Sequence, residues 1–270
     1  MASSNPPEVT ARVMEWRHYL ADFHEHRPAI TETLLTRAVA DDGTTPYAWV
    51  VAPLRDAGGP VLDLACGSAP TRPLLPGRRW LGVDASAREL AAAIAAGRHP
   101  VVRGRAHALP VADDAVAAVC AAMCLPVLTP LDAVLAELGR VLRPGGTIVA
   151  LVPARRGYGA HGLLGWTRVM RPLGLWGQPW PNPGARDGLA RLLRGHGFVV
   201  DHDSRRVFRR PITDPSAAAL LVRALYLPGV PSARVDAATR ALASWARPGR
   251  SLPFPLRRVV AHRPRPAGEP

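Results

Sequence analysis

A short apolar strand that leads into a glycine turn is the feature that most constrains the fold of this chain. Residues 61–70 read Val-Leu-Asp-Leu-Ala-Cys-Gly-Ser-Ala-Pro, and a second strand pattern, Trp-Leu-Gly-Val-Asp, covers residues 80–84. Gly67 would let the backbone pass close to a ligand, and the amides of the turn could point at polar ligand atoms. Asp84 follows Asp63 by 21 residues, about the spacing at which a carboxylate at the tip of the next strand reaches a ribose diol. Together the two segments predict one crevice that holds an adenosine-containing cofactor.

Strand and helix patterns alternate along most of the chain. The best-defined helix is predicted over residues 131–142, whose apolar side chains recur at helical spacing along one face. Before the alternating region, an amphipathic pattern between Val13 and Ala40 predicts two helices that are broken at Pro28. The alternation predicts an α/β fold with a doubly wound, mostly parallel seven-stranded sheet. The predicted strands are residues 61–64, 80–84, 100–103, 115–121, 147–152, 197–203 and about 256–261.

Changes in composition divide the chain into five parts. Residues 1–46 are expected to form an N-terminal helical cap, and residues 47–153 the α/β core that binds the cofactor. Residues 154–186 are rich in Gly, Pro and Trp and read as an irregular, lid-like insertion over the carboxyl edge of the sheet. Residues 187–262 complete the core with added helices, and residues 263–270 form a polar tail. We therefore expect one large domain with additions.

The cysteines and the apolar runs exclude several classes of protein. Cys66, Cys120 and Cys124 lack metal-ligand spacing, so we expect reduced thiols in a cytoplasmic protein and no metal site. The longest nearly unbroken apolar run, from Ala115 to Leu128, contains Pro126 and is too short to cross a bilayer. No membrane span is therefore expected.

The net charge of +13 raises the question of a nucleic-acid partner. All 34 basic residues are Arg, since the chain contains no Lys, and with abundant Ala and Pro this pattern is typical of a GC-rich genome. The arginines are widely spread, with short pairs such as Arg205-Arg206 and Arg257-Arg258 and no basic stripe interleaved with aromatic residues. We therefore expect a small-molecule substrate, and a nucleic acid is the less favoured partner.

Four motifs in the same order resemble those of the class I S-adenosylmethionine-dependent methyltransferases. They are Val61–Ala69, Leu81–Asp84, Ala106–Cys120 and Glu137–Gly146, the last of which reads Glu-Leu-Gly-Arg-Val-Leu-Arg-Pro-Gly-Gly. The pattern is most similar to the large methyltransferase type 11 branch, typified by the ubiquinone and menaquinone biosynthesis enzymes. The resemblance covers roughly residues 47–153. It implies a Rossmann-like fold, S-adenosylmethionine as cofactor and methyl transfer as activity.

The resemblance also implies roles for residues in four loops of the sheet. Asp63 would anchor the methionine ammonium of the cofactor, directly or through water, and Asp84 would accept hydrogen bonds from both ribose hydroxyls. The other cofactor-binding residues that it implies are Ala65, Cys66, Gly67 and Ser68 beneath the methionyl and ribose portions, Ala85 and Ser86 beside the ribose, Ala106 and His107 beside adenine, and Cys120 and Ala121 on the sulfonium side.

Several positions depart from the family pattern. Ala69 stands where relatives commonly carry a third glycine, and alanine is tolerable there only if the backbone does not require a positive φ. Arg105 stands where an acidic residue usually accepts a hydrogen bond from the adenine amino group, and arginine has only donors. Three readings stay open: a backbone carbonyl replaces the acid, Arg105 stacks on the purine, or cofactor affinity is reduced. Pro70, Pro73 and Pro76 also imply an abbreviated first crossover helix.

The sulfonium of this cofactor is already an activated leaving group, so no universal catalytic residue is expected. If the acceptor is a hydroxyl, a base would help, and Tyr158 and His161 after the fifth strand are the candidates. The simpler interpretation, an exposed loop histidine and a packing tyrosine, is the favoured one. Trp166, Trp176 and Trp180 could wall a flat apolar acceptor pocket, or could equally pack the insertion against the rest of the protein.

The sequence leaves three functions open. The leading hypothesis is a small-molecule methyltransferase that works by aligning the acceptor with the methyl group. An RNA methyltransferase would explain the arginine excess, and it predicts salt-sensitive RNA binding. A non-catalytic relative that keeps the fold as a cofactor sensor or assembly partner would explain Ala69 and Arg105. A nicotinamide-dependent dehydrogenase is disfavoured, because only one glycine stands where that fingerprint needs three.

Overall fold

The computed structural model describes residues 7–266 and shows a seven-stranded mixed sheet with flanking helices. The strands are β1 (Val61–Leu64), β2 (Trp80–Asp84), β3 (Val101–Arg103), β4 (Val116–Ala122), β5 (Leu142–Pro153), β6 (Val199–Pro211) and β7 (Ser251–His262). They lie in the order β3-β2-β1-β4-β5-β7-β6. The strands from β3 to β5 pair in parallel, and β7 runs antiparallel to both of its neighbours. The predicted fold class is confirmed.

Ten α-helices lie within the described residues. They are α1 (Pro7–His26), α2 (Ile30–Leu35), α3 (Pro46–Val51), α4 (Ala87–Ala95), α5 (Leu131–Val141), α6 (Gly159–Leu173), α7 (Pro183–Asp187), α8 (Leu189–Gly195), α9 (Pro215–Arg223) and α10 (Ser232–Ala243). None of the helices in residues 7–266 has both the length and the apolar character needed to span a membrane. The break between α1 and α2 contains Pro28, as the sequence predicted.

The central strands are buried on both faces, as parallel strands between two layers of helices must be. Leu62 and Leu64 pack with the apolar side chains of α5 and α8, whereas Val61 packs on the opposite face with those of α3. Because side chains alternate along a strand, Asp63 points to the same face of the sheet as Val61. Its side chain lies near the end of β1, where it lines a cavity. The core therefore determines which way this carboxylate points.

The crossover from β1 to β2 carries no α-helix and contains only a 3-10 turn at Arg72–Leu74. Prolines in this segment remove backbone donors, which explains the abbreviation that the sequence predicted. α4, by contrast, has a regular start, since the Ser86 hydroxyl accepts a hydrogen bond from the Glu89 amide at 3.2 Å. The first crossover therefore leaves the end of β1 open, and the second places a helix N-terminus beside the end of β2.

The expected irregular insertion over residues 154–186 is largely helical, because α6 covers 15 of these residues. Glycine was interpreted there as a loop signal, but two of the α6 glycines allow close packing against β7. A Cβ atom on Gly165 would lie 2.5 Å from Leu252 Cδ2, and one on Gly162 would lie 2.4 Å from Pro253 Cγ. The apolar residues of this helix also recur at helical spacing, at Trp166, Val169, Met170 and Leu173.

The last strands of the sheet are longer than predicted. β6 and β7 pair from Val199 opposite His262 to Pro211 opposite Ser251, so the ladder includes arginines and prolines that hide the strand pattern. β5 begins at Leu142, five residues before the predicted start at residue 147. It contains a bulge near Gly145, which has a φ of +72°. Residues 267–270 of the predicted polar tail lie outside the described part of the chain.

Candidate active site

A cavity of about 1140 Å³ lies at the carboxyl ends of β1 to β4, where parallel α/β sheets bind ligands. Residues of α1 and α2, among them Arg17, His24 and Glu32, line it from above. It is large enough to hold a nucleoside cofactor beside a small acceptor. Most of the predicted cofactor-binding residues line it together: Asp63, Ala65, Cys66, Gly67, Ser68, Asp84, Ala85, Ser86, Ala106 and His107.

The loop after β1 has the left-handed backbone of a tight turn, with φ of 50° at Ala65, 54° at Gly67 and 55° at Ala69. The Ala69 amide donates to the Cys66 carbonyl at 2.9 Å. The condition for tolerating Ala69 is therefore not met, because this position does have a positive φ. An alanine in that conformation costs about 1 kcal/mol relative to glycine. The Ala69 methyl group is fully buried in the core, which offsets part of that cost.

Asp63 is a buried carboxylate that has no basic partner among the described residues. Its side chain is 1% exposed and accepts a hydrogen bond from the Thr71 hydroxyl. None of the ion pairs within residues 7–266 includes it. Removal from water raises the pKa of Asp63 to about 7, helped by the nearby charge of Asp84 and opposed by the Thr71 hydrogen bond. Such a carboxyl group is the chemical complement of an ammonium ion.

Asp84 at the end of β2 orders two loops at once. Its Oδ2 accepts a hydrogen bond from the Gly67 amide at 2.8 Å, and its Oδ1 accepts one from the Ser86 amide at 2.9 Å. Burial raises the pKa of Asp84, while these two amide bonds lower it. Each carboxylate oxygen keeps a further lone pair, which a hydroxyl group can use. The carboxylates of Asp63 and Asp84 thus lie at the tips of adjacent strands and line the same cavity.

These residues fit the cofactor that the sequence resemblance implies. A methionine ammonium and a ribose diol are both hydrogen-bond donors, and the cavity offers a carboxylate for each of them, buried at Asp63 and half-buried at Asp84. The turn between the carboxylates needs a positive φ of 54° at Gly67, which glycine adopts without strain. The acceptor groups of the cavity therefore match the donors of the cofactor.

The loop after β3 presents Arg105 to the cavity. The Arg105 carbonyl already accepts a hydrogen bond from the Ala108 amide at 3.0 Å, whereas its side chain is exposed and lines the cavity. Its guanidinium takes part in no ion pair among the side chains of residues 14–266. Partial burial, with the charges of Arg17 and Arg105, lowers the pKa of His107. The guanidinium of Arg105 thus lies at the cavity wall, and the three readings of this residue stay open.

The end of β4 lies further along the chain than predicted. The strand continues to Ala122, so Cys120 and Ala121 are fully buried within the sheet and do not line the cavity. Ala122 and Met123 line it in their place. The apolar run passes the end of the strand without a polar residue, which is why the boundary was misplaced. Burial also raises the pKa of the Cys120 thiol well above its usual value, and all three cysteines are free thiols.

Neither of the two predicted catalytic residues lines the main cavity. His161 is exposed on α6 and lines a separate surface depression with Arg168 and Trp245. Tyr158 contributes to that depression and to a second, apolar cavity of about 100 Å³, and burial raises the pKa of its hydroxyl. The cause is the unexpected helix, because α6 begins at Gly159 and carries His161 away from the carboxyl edge of the sheet.

The second cavity is walled by two of the three predicted tryptophans. Trp166 and Trp180 line it, and the Trp166 ring nitrogen donates to the Pro253 carbonyl at 2.9 Å. Trp176 is fully exposed to solvent and lines neither cavity. The residues that line both cavities are Thr31, Met123, Val127 and Tyr226, so the two spaces adjoin.

Two acidic residues hold α1 and α2 against the rim of the cavity, and the sequence did not predict this role. Glu25 of α1 accepts a hydrogen bond from the Ser86 hydroxyl at 3.0 Å. Glu32 of α2 accepts one from the Ser68 hydroxyl at 2.6 Å and pairs with Arg98 at 2.7 Å. The sequence shows these glutamates only as polar positions of amphipathic helices, and the partners are more than 30 residues away. No group of three or more His, Cys, Asp or Glu side chains in residues 7–266 is placed to hold a metal ion.

Part of the chain is similar to known methyltransferases. Residues 62–150 match a family model described as a methyltransferase domain. The demethylmenaquinone methyltransferase of Mycolicibacterium paratuberculosis is 44% identical over 94 residues, which cover 34% of this chain and 40% of that enzyme. The match thus spans about two fifths of the length of the curated relative.

Solved structures with a similar fold cover much more of the chain. The [4+2]-cyclase SpnF has a TM-score of 0.55 and 22% identity, over 82% of this chain and 80% of that one. The YcgJ protein from Bacillus subtilis has a TM-score of 0.53 and 15% identity, over 82% of this chain and 99% of that one. At such identities the likeness shows the fold alone.

Proposed function

We propose that the protein transfers the methyl group of S-adenosylmethionine to a small molecule, because residues 62–150 match a methyltransferase-domain model and the sheet has the strand order of a class I fold. The observation that carries this proposal is the pair of carboxylates, Asp63 and Asp84, at the tips of adjacent strands in one cavity. A buried acid such as Asp63, which has no basic partner in the described part of the chain, is unfavourable unless a ligand supplies the missing donor, and Asp84 keeps lone pairs for further donors. A sulfonium nucleoside supplies donors to both.

Each loop of the cavity would then hold one part of the cofactor. Asp63 would pair with the methionine ammonium, and Asp84 would accept the ribose hydroxyls through the lone pairs that its amide bonds leave free. Arg105 would lie against the adenine ring. The remaining contacts would come from Ala65, Cys66 and Gly67 beneath the methionyl portion, from Ala85 beside the ribose, from Ala106 and His107 beside adenine, and from Ala122 and Met123 on the methyl side.

When bound, S-adenosylmethionine supplies an activated methyl group on sulfur. The protein's own contribution would be to hold the acceptor in line with that group and to exclude water. The cap suits the second task, since Glu25 and Glu32 fasten α1 and α2 over the cavity. For the first task, the chain offers the apolar cavity lined by Trp166 and Trp180, which adjoins the main one at Met123.

A flat, apolar acceptor is the substrate class that these walls favour. Aromatic side chains contact flat rings over a large area, and the second cavity adds aliphatic and proline side chains around them. The curated relative is named for demethylmenaquinone. Demethylmenaquinone is therefore one acceptor to assay, and flat rings that carry a hydroxyl group are the others.

Titration calorimetry with S-adenosylhomocysteine tests the proposed cofactor site. The wild-type protein should bind it saturably, and Asp84→Ala should weaken binding at least about thirtyfold, because a charged acceptor of two hydroxyl donors contributes about 2 kcal/mol or more. Asp113→Ala is the matched control, since Asp113 is an exposed acid paired with Arg140 and does not line the cavity. The control should bind within about twofold of wild type. An absence of binding to the wild-type protein would refute the proposal.

A transfer assay separates methyl transfer from cofactor sensing. With labelled S-adenosylmethionine and a panel of quinols and phenols, label should appear in an organic-soluble product. It should be lost in Asp84→Ala and retained in Asp113→Ala. A wild-type protein that binds the cofactor and labels RNA instead of any small molecule would establish the RNA methyltransferase. One that binds the cofactor and labels nothing in a complete cell extract would establish the non-catalytic relative.

A further inference from the structure

Three side chains from distant parts of the chain form a hydrogen-bonded series that ends between the two cavities. His24 of α1 contacts the Glu89 carboxylate through Nδ1 at 2.8 Å and the Tyr226 hydroxyl through Nε2 at 3.1 Å. His24 and Glu89 line the main cavity, and Tyr226 lines both cavities. The three residues are not neighbours in sequence, since 65 residues separate His24 from Glu89 and 202 separate it from Tyr226.

The chemistry of the partners determines which way the hydrogen bonds run. An ionised carboxylate can only accept, so Nδ1 of His24 carries a proton that it donates to Glu89. In the neutral form of His24, Nε2 is then an acceptor and the Tyr226 hydroxyl donates to it, whereas in the imidazolium form Nε2 donates to Tyr226. The Thr31 side chain also hydrogen-bonds to the Tyr226 hydroxyl, which leaves one lone pair of its oxygen for a donor at the junction of the two cavities. This is the arrangement of a carboxylate-oriented imidazole base.

Glu89 is turned away from the contact that its position in α4 would usually make. It is the third residue of the helix after Ser86, where a glutamate commonly accepts a hydrogen bond from the amide of the capping serine. That amide instead donates to Asp84 at 2.9 Å, and Glu89 accepts from His24 and from the Ala29 amide at 2.9 Å. Glu89 is 2% exposed, so its negative charge acts on His24 with little screening by water.

Tyr226 is held in place by the aromatic residues of α1. Its ring lies 4.7 Å from that of Phe23 and 6.2 Å from that of Trp16, measured between centroids. The next residue, Leu227, donates its amide to the Tyr19 hydroxyl at 2.6 Å. Burial raises the pKa of the Tyr226 hydroxyl, so this group stays protonated at neutral pH unless it passes its proton on. It is therefore suited to relay a proton without storing charge.

The geometry points to a hydroxyl as the methyl acceptor, with Tyr226, His24 and Glu89 as the relay that removes its proton. This inference rests on the proposed methyl transfer and adds the substrate class and the base. Tyr226 would be the catalytic residue that contacts the acceptor hydroxyl, His24 would take up the proton through Tyr226, and Glu89 would be a positioning residue.

The proposed step balances in atoms and charge. The acceptor oxygen forms a bond to the methyl carbon, the carbon–sulfur bond breaks, and its electron pair stays on sulfur, which becomes neutral. The acceptor proton passes to the Tyr226 oxygen while the Tyr226 proton passes to Nε2 of His24. The resulting imidazolium contacts the Glu89 carboxylate of α4 at 2.8 Å and is also stabilised by the negative charge of Asp84 of β2. Tyr226, after α9, is the other titratable group in direct contact with it.

A chromogenic phenol tests the relay without knowledge of the natural acceptor. The full-length protein, saturated with S-adenosylhomocysteine, is titrated into 4-nitrophenol at a pH at which the free phenol is mostly protonated. The wild-type complex should produce the visible absorption band of the bound nitrophenolate. His24→Gln keeps groups that can hydrogen-bond to Glu89 and Tyr226 but cannot take up a proton, so the band should fall at least about tenfold. His26→Gln, an exposed histidine on the same helix, should retain the full band.

Tyr226→Phe gives a second arm that removes one hydroxyl and leaves the aromatic contacts in place. Tyr226→Phe should bind S-adenosylhomocysteine within about threefold of wild type and lose the nitrophenolate band as His24→Gln does. If His24→Gln does not fold, the result with Tyr226→Phe tests the relay. A wild-type complex that shows no nitrophenolate band, or either variant with an undiminished band, would overturn the relay while the cofactor site stands. Failure of the wild-type protein to bind S-adenosylhomocysteine would instead remove the proposed function on which the relay rests.

Discussion

Buried charge is treated in opposite ways in two regions of this molecule. At the β6–β7 edge, Arg257 is 6% exposed and its guanidinium is fully used, by the Asp203 carboxylate and by the Arg186 and Asp187 carbonyls. In the cavity, Asp63 is 1% exposed and has one neutral partner, the Thr71 hydroxyl. The Arg257 site is complete without a ligand and is structural, whereas the Asp63 site is incomplete in a way that a cationic ligand would correct.

The same comparison bears on the arginine excess. Several arginines that look like basic patches in the sequence are used inside the fold. Arg258 donates to the Trp49 carbonyl at 2.7 Å and lies 4.7 Å from the centre of the Trp49 ring, and Arg210 is 2% exposed. The net charge of +13 therefore overstates the basic charge that the surface offers to a nucleic acid.

Removal of the paired charge is expected to have the largest effect on stability. Arg257→Met leaves the Asp203 carboxylate and two carbonyls without their donor, so the free energy of unfolding should fall by about 3 kcal/mol. Urea denaturation measures this. Arg206→Met on the neighbouring strand β6 is the control, because its pair with Asp42 is more exposed, and it should change stability far less. Equal losses in the two variants would show that Arg257 is not special and would break the comparison.

The unpaired carboxylate of Asp63 should lower the stability of the protein when no cofactor is bound. The folded-state pKa of Asp63, about 7, lies above the unfolded value of about 3.9, so the folded state binds the proton more tightly. Stability is therefore lost as pH rises from about 4 to about 7, and the loss between about pH 6 and pH 8 should be about 1 kcal/mol. Thermal or urea unfolding should show this slope in wild type and a flatter one in Asp63→Asn. A wild-type protein that becomes more stable than Asp63→Asn over that range would contradict the unpaired state of Asp63.

Arg105 allows a finer test of the cavity. If its guanidinium stacks on adenine, Arg105→Ala should weaken S-adenosylhomocysteine binding about two- to fivefold, the effect of one cation–π contact of about 0.5–1 kcal/mol. Calorimetry measures the change, with Arg103→Ala as a neighbouring cavity-lining control. Tighter binding by Arg105→Ala would instead mean that the arginine repels the cofactor.

The smallest effect is expected at His161. The structure places this residue on an exposed face of α6 outside both the main and the apolar cavity. His161→Ala should therefore leave the rate of methyl transfer unchanged, as measured with whichever acceptor the transfer assay identifies. A tenfold loss would restore His161 as a base and would require α6 to move.

Local sequence was sufficient to predict the site residues that lie at the ends of single strands. Asp63 and Asp84 each end a short apolar run, and the pairing of β1 with β2 then brings them together without further information. Ala69 shows the limit of this reasoning, because alanine does not signal the left-handed conformation that the turn imposes on it. The end of β4 was misplaced for a related reason, since an apolar run that continues into a buried loop has no marker.

Tertiary packing decides what the sequence could not show. α6 is rich in glycine because it approaches β7 closely, and composition alone could not separate that cause from a flexible loop. The contact of His24 with Glu89 and Tyr226 depends on the placement of α1 over α4 and beside the end of α9. No periodicity within any one segment encodes such a contact.

The affinity of wild-type protein for S-adenosylhomocysteine, measured by calorimetry at about pH 6 and about pH 8, tests the central claim most directly. Asp63 ionises near pH 7, and only its ionised form attracts the ammonium group, so binding should be about tenfold tighter at the higher pH. This dependence should flatten in Asp63→Asn. Binding that is equally tight at both values, or tighter at the lower one, would contradict the assignment of a cation to Asp63.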